Sequence, residues 1–148
     1  MKAVIQRVSF TSVTIDGKLH SEIGRGLLVL LGISLGDTDE NVKYLSRKIT
    51  DLRIFNDDAG KMNLSVKDIK GEIMLISQFT LCADNGKSGN RPSFVDAAKP
   101  EVSEPMFKKF ISELKNNYET GKIKTGVFGA DMKVSLLNDG PVTIILEK

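Results

Sequence analysis

The run Gly26-Leu27-Leu28-Val29-Leu30-Leu31-Gly32 constrains the fold most, because it contains no polar side chain. A strand with one face in water alternates apolar and polar residues, whereas this one does not, and so it belongs at the centre of a sheet covered on both faces. Ile73-Met74-Leu75-Ile76 reads the same way, and it delivers the polar segment Ser77-Gln78-Phe79-Thr80-Leu81 at its end.

The flanking patterns supply the rest of the sheet and its cover. Val4 to Phe10 and then Val13-Thr14-Ile15 are rich in β-branched residues with rough alternation. Asp16-Gly17 next signals a hairpin, read with a loop longer than two residues, into a run from Ile23 to Ile33. Asp37-Thr38-Asp39-Glu40 has the form of a helix start. Val42, Leu45, Ile49 and Leu52 follow at spacings of three and four, one apolar stripe. Asn56-Asp57-Asp58-Ala59-Gly60 is a turn cluster, and Asp84 to Pro92 reads as a mobile polar loop. A second helix is expected over Glu101 to Tyr118, with Ser103 as its cap, Pro105 in its first turn, and Phe107, Phe110, Ile111 and Leu114 inward. Three strand-like runs close the chain: Ile123 to Phe128, Met132 to Leu137 and Val142 to Leu146. The pattern predicts one α+β domain over residues 1–148, sheet-dominated and barrel-like, with two covering helices.

Composition bounds the function classes. An apolar content of 41% and a charged content of 27% are those of an ordinary soluble domain. The longest apolar stretch, Leu27 to Leu31, falls far short of the roughly 18 residues of a membrane span. Met1-Lys2-Ala3-Val4 leads straight into a strand pattern, so no secretory signal is expected. The single cysteine, Cys82, fits a reducing cytoplasm. A net charge of +2 does not by itself announce nucleic acid. Between Lys108 and Lys133, six lysines stand against three acids, which suits one end of an RNA and equally a solvated face.

The inventory of reactive groups is thin. The one histidine, His20, lies in the first hairpin without ligand-type spacing, and a zinc site needs three or four such groups. No metal and no cofactor are expected. Cys82 lacks a nearby base to make it a thiolate, Gly24-Arg25-Gly26 lacks phosphate-loop spacing, and Asp57-Asp58 fits a turn better than a carboxylate dyad. Ser77, Gln78 and Thr80 either satisfy backbone groups where their strand ends or line a site. As a nucleophile Thr80 would need a base that its neighbours do not provide, so it is better cast as a positioning group. Asn138-Asp139-Gly140 alone reads as a hairpin turn. Pro141 complicates that reading, since proline donates no ladder bond and biases the residue before it. Were Gly140-Pro141 cis, its carbonyls would point the same way and offer two acceptors on stiff backbone.

Ser77-Gln78-Phe79-Thr80 and Gly140-Pro141-Val142-Thr143, in this order, resemble the two signature motifs of the D-aminoacyl-tRNA deacylases, also called the D-tyrosyl-tRNA deacylase family. The likeness extends along the chain. Ile5-Gln6-Arg7-Val8, Gly26 to Gly32, Arg53-Ile54-Phe55, Gly60-Lys61-Met62-Asn63, Arg91-Pro92-Ser93-Phe94 and Ala130-Asp131-Met132 all fit its pattern.

The resemblance implies hydrolysis of the ester between a D-amino acid and the 3′-terminal adenosine of tRNA, and removal of glycine mischarged on alanine tRNA. It casts Ser77, Gln78 and Thr80 as catalytic-site residues, with backbone amides near Thr80 stabilising the oxyanion. It casts Phe79, Phe128 and Met132 as pocket walls. Gly140-Pro141 would be a cis peptide reaching into the partner's site in a homodimer and excluding L-amino acids sterically. The 2′-hydroxyl of the terminal ribose, rather than a protein nucleophile, would assist attack. Arg7 would serve the dimer interface or be an ordinary surface arginine. A non-catalytic RNA-binding module and an esterase with Thr80 as nucleophile are the alternatives.

Overall fold

The computed structural model describes residues 1–84 and 89–148, so part of the polar loop read at Asp84 to Pro92 lies outside the described residues. The strands are β1 (Lys2–Ile15), β2 (Lys18–Ile23), β3 (Gly26–Gly32), β4 (Phe55–Asn56), β5 (Met62–Leu64), β6 (Glu72–Ser77), β7 (Ile123–Thr125) and β8 (Lys133–Glu147). The helices are α1 (Asp39–Thr50) and α2 (Pro100–Asn117). Among the described residues, six strands form a nearly closed, barrel-like sheet in the order β2-β1-β3-β6-β7, with β8 on the other side of β1. β4 and β5 form a small separate hairpin. This is the expected α+β, sheet-dominated architecture with two covering helices.

β3 and β6 are buried on both faces, as their unbroken apolar runs require. Leu27, Val29, Leu31, Ile73 and Leu75 pack with Val42, Leu45 and Ile49 of α1 and with Phe107, Phe110 and Leu114 of α2. Leu28, Met74 and Ile76 face the other way, into a second cluster with Val8, Val13 and Ile23. β3 pairs with β6, and β6 with β7, in parallel. At the far seam the Ser21 hydroxyl of β2 donates to the Thr125 carbonyl of β7 at 3.0 Å and draws the sheet round. No helix among the described residues is long and apolar enough to cross a membrane.

Several local expectations are corrected. β1 is one continuous strand, and Ile15 pairs with Lys18, so the Asp16-Gly17 loop has two residues, both at positive φ. The run from Ile23 to Ile33 divides into β2 and β3. Gly24 donates to the Glu72 carboxylate at 2.9 Å, and Gly26 lies so close to β6 that a β-carbon there would stand 1.9 Å from the Glu72 carbonyl oxygen. Thr38 caps α1, its amide donating to Asn41 Oδ1 at 2.7 Å. Lys99, not Ser103, is the N-cap of α2, with Pro100 in the first turn, where its missing amide costs nothing. Ser103 instead donates to the Lys99 carbonyl, and Pro105 falls in the second turn. β7 stops at Thr125, before the expected end at Phe128. The two last runs belong to a single strand, β8, that continues past Asn138-Asp139-Gly140 with a bulge there, so no hairpin forms.

Candidate active site at the ends of three parallel strands

The carboxyl ends of β3, β6 and β7 meet the start of α2 around a cavity of about 630 Å³. Ligands favour the region beyond the carboxyl ends of parallel strands, where the backbone leaves the sheet and side chains converge. Leu31, Ile33 and Ile76 give the cavity a buried apolar bottom. Ser77, Gln78 and Phe79 border it from the end of β6, Lys99 and Ser103 from α2, and Phe128, Asp131 and Met132 from the segment between β7 and β8.

The polar segment after β6 is shaped by one ladder bond. The Gln78 amide donates to the Leu31 carbonyl at 2.8 Å, the last link between β6 and β3. The chain then turns into a short 3-10 helix, Phe79–Cys82. Phe79 projects from this turn, 58% exposed. Phe94 meets it edge-on at 5.0 Å between ring centroids and fixes its plane against the cavity. The Gln78 side-chain amide donates to the Thr80 hydroxyl at 2.5 Å. The predicted residues Ser77, Gln78, Phe79, Phe128 and Met132 therefore gather at one cavity. Thr80 stands beside it, exposed and bonded to Gln78, without bordering it.

Gly140 and Pro141 do not border the cavity of their own chain. Their peptide bond is cis. Gln6 pairs with Thr143 and Val8 with Asn138, so a two-residue step on β1 faces a five-residue step on β8, and the surplus bulges outward as an elbow. Side chains replace the lost ladder. Asn138 Oδ1 accepts from the Val142 amide at 3.0 Å and Asn138 Nδ2 donates to Thr143 Oγ1 at 2.9 Å. Arg7 Nε donates to the Asp139 carbonyl at 3.0 Å, and Nη1 donates to the Ile54 carbonyl at 2.7 Å. At 8% exposure Arg7 is no ordinary surface arginine; it ties the elbow to the base of the β4–β5 hairpin.

The remaining candidates do not join the site. His20 is exposed in the β1–β2 hairpin, and Cys82 is buried with Sγ 3.3 Å from Ser34 Oγ. Asp57 organises a turn, as its neighbours suggested. The Asn63 side-chain amide first, then the Lys61 and Ala59 amides, hold its carboxyl below the ordinary value of 3.8. Three of the six lysines between 108 and 133 are taken up in ion pairs: Lys108 with Glu104, Lys109 with Asp39 and Lys133 with Asp131. Phe94, Lys99 and Ser103 are among the cavity residues that the sequence did not mark. Arg91-Pro92-Ser93-Phe94 carried part of the family pattern, but nothing in it marked Phe94 as the support for Phe79.

A sequence model of D-Tyr-tRNA(Tyr) deacylase matches residues 4–147. The chain belongs to that family. A D-aminoacyl-tRNA deacylase from Flavobacterium psychrophilum is 57% identical over 148 residues, covering 99% of this chain and 97% of that one. One from Parabacteroides distasonis is 56% identical with the same coverage. Among solved structures, a c-Myc DNA Unwinding Element Binding Protein superimposes with a TM-score of 0.95 at 48% identity, over 100% of this chain and 99% of the other. A probable eukaryotic D-amino acid tRNA deacylase shares the fold, with a TM-score of 0.80 at 14% identity, over 98% of this chain and 97% of that one. The segments Ser77 to Thr80 and Gly140 to Thr143 thus lie in different settings: the first at the rim of the cavity, the second on the outward elbow of β8.

Proposed function

We propose that the protein is an aminoacyl-tRNA editing hydrolase that cleaves the ester of D-aminoacyl-tRNA, releasing D-amino acid and free tRNA. The observation that carries this reading is the 630 Å³ cavity bordered by Ser77, Gln78 and Phe79 in a chain that matches the family over residues 4–147. The cavity takes the 3′-terminal adenosine, with Phe79, Phe128 and Met132 as its walls. Ser77, Gln78 and Thr80 orient the scissile ester, and backbone amides near Thr80 stabilise the oxyanion. The ribose 2′-hydroxyl assists attack, so the protein supplies position and charge stabilisation rather than a nucleophile.

Chiral selection belongs to Gly140-Pro141 acting across a homodimer. Two features support a second copy. The outer edge of β8 has no partner strand among the described residues, and its exposed side chains include Leu137 and Ile145. Long unpaired apolar edges are ordinarily covered. The elbow also lies away from its own chain's cavity, as a group serving the partner's cavity would. An L-amino acid would meet this backbone with its side chain; a D-amino acid or glycine would not, and glycyl-tRNA(Ala) is therefore a second substrate. The reading places one domain of residues 1–148 in the cytoplasm, where aminoacyl-tRNA is found.

The test is incubation with D- and L-tyrosyl-tRNA(Tyr). Release of D-tyrosine alone is expected, and equal release of both would overturn the stereochemical assignment. A nucleic-acid-binding role without hydrolysis is the second reading, favoured by the 48% identical structure named for DNA binding. Retention of both amino acids on a tRNA that still binds would establish it.

A further inference from the structure

Gly126 immediately follows β7, and its amide donates to the Leu75 carbonyl at 3.0 Å. A β-carbon built on it would stand 2.5 Å from Met132 Sδ and 3.5 Å from Met132 Cε, so the thioether occupies the space that a side chain at 126 would need. Backbone conformation does not call for glycine here, since Gly126 is not among the positive-φ glycines. The obstacle is the Met132 side chain alone. This differs from Gly26, whose β-carbon would strike backbone that cannot yield.

Ile76 Cγ1, 3.7 Å from the same point, closes one side, and the β6 backbone bonded to the Gly126 amide closes another. Gly126 borders a second depression on the far side of Phe128, whereas Met132 borders the main cavity alone of the two, so a thioether pushed away from Gly126 has the main cavity to move into. We infer that Gly126 is a positioning residue for the cavity wall: by lacking a side chain it lets Met132 lie back against the strand, and so sets the depth available to the terminal nucleoside. The identity of that ligand rests on the deacylase reading; the dependence of cavity depth on Gly126 does not. A thioether lying flat offers a soft, polarisable surface to a planar base. One methyl at 126 would drive the sulfur out to van der Waals distance, a shift of about 1 Å or more.

The test is Gly126→Ala, alone and with Met132→Ala. With D-tyrosyl-tRNA(Tyr), the alanine variant raises KM about tenfold while kcat stays within about threefold, the discrimination typical of one methyl group in a tight pocket. In the Met132→Ala background the same glycine change moves KM by less than about twofold, because the clashing group is gone. A crystal structure of Gly126→Ala shows Met132 Sδ displaced into a smaller cavity. An unchanged KM, an equal rise in both backgrounds, or a thioether still in place would overturn the proposal. If the wild-type protein releases no D-tyrosine, the deacylase reading fails, and the crystal structure still decides the role of Gly126. If Gly126→Ala does not fold, recovery of fold and cavity in the double variant supports the proposal, and a double variant equally unfolded overturns it.

Discussion

Arg7 Nε lies 3.0 Å from the carbonyl oxygen of Asp139 and 3.2 Å from that residue's carboxylate, so one guanidinium grips the elbow of β8 by both backbone and side chain. Its other arm reaches the Ile54 carbonyl at 2.7 Å. Hydrogen bonds made by a charged donor are each worth about 1.5–3 kcal/mol. Arg7→Ala should therefore lower the unfolding free energy by about 2–3 kcal/mol, read by urea denaturation. Arg7→Lys should not restore it, because an ammonium cannot hold the fork geometry. A lysine variant as stable as the wild type would show the grip to be a simple charge contact.

Gly140 has φ +130°, and a β-carbon there would meet Val142 Cγ2 at 2.8 Å and Arg7 Nη2 at 3.0 Å. Both the backbone and the space exclude a side chain. Gly140→Ala should cost about 1–3 kcal/mol and displace Arg7. The part of its cost owed to Arg7 then disappears in the Arg7→Ala background while the backbone strain remains, so the double variant loses less than the sum of the two single losses. Full additivity of the two in denaturation would refute this shared contact.

Thr80 distinguishes positioning from covalent catalysis. Loss of a true nucleophile costs about a millionfold in kcat. Thr80→Ala, which removes the acceptor of the Gln78 amide, is expected to keep turnover within about a hundredfold of wild type in a single-turnover assay, the scale of one lost positioning contact. Trapping of an acyl-threonine would sink the positioning role.

The Asp57 turn gives a pH dependence of definite sign. Its carboxyl titrates lower in the folded chain than its ordinary 3.8. Its stabilisation is therefore fully present above 3.8 and is lost as the pH falls through the depressed folded value. Amide hydrogen exchange in the β4–β5 hairpin should be faster in Asp57→Ala than in wild type at pH 6, and the difference should fade in acid. A difference that persists at pH 2 would assign the protection to something other than the charge.

Much of the architecture was legible because burial writes itself into periodicity. The unbroken run of β3 announced a strand covered on both faces, and the stripe Val42, Leu45, Ile49 announced α1. What failed were the places where distant pairing overrides local preference. Asn138-Asp139-Gly140 has every feature of a turn, yet β1 pairs on both sides of it and keeps β8 running. Arg7 did leave a signal. It occupies the inward position of an alternation that buries Ala3 and Ile5, and a charge at such a position requires partners inside the fold. Those partners, on Ile54 and Asp139, come from segments about fifty and 130 residues away, which no local pattern reveals. Phe94 and Lys99 were missed for the same reason, since only the folded chain brings them beside β6.

β3, β6 and β7 run in one direction and stop at a common rim. The groups that would meet a substrate sit on short segments past that rim, while the apolar lengths below it hold the register. Exchanging those segments can retune what is recognised without disturbing the folding core, so selectivity and stability are open to separate adjustment in this scaffold.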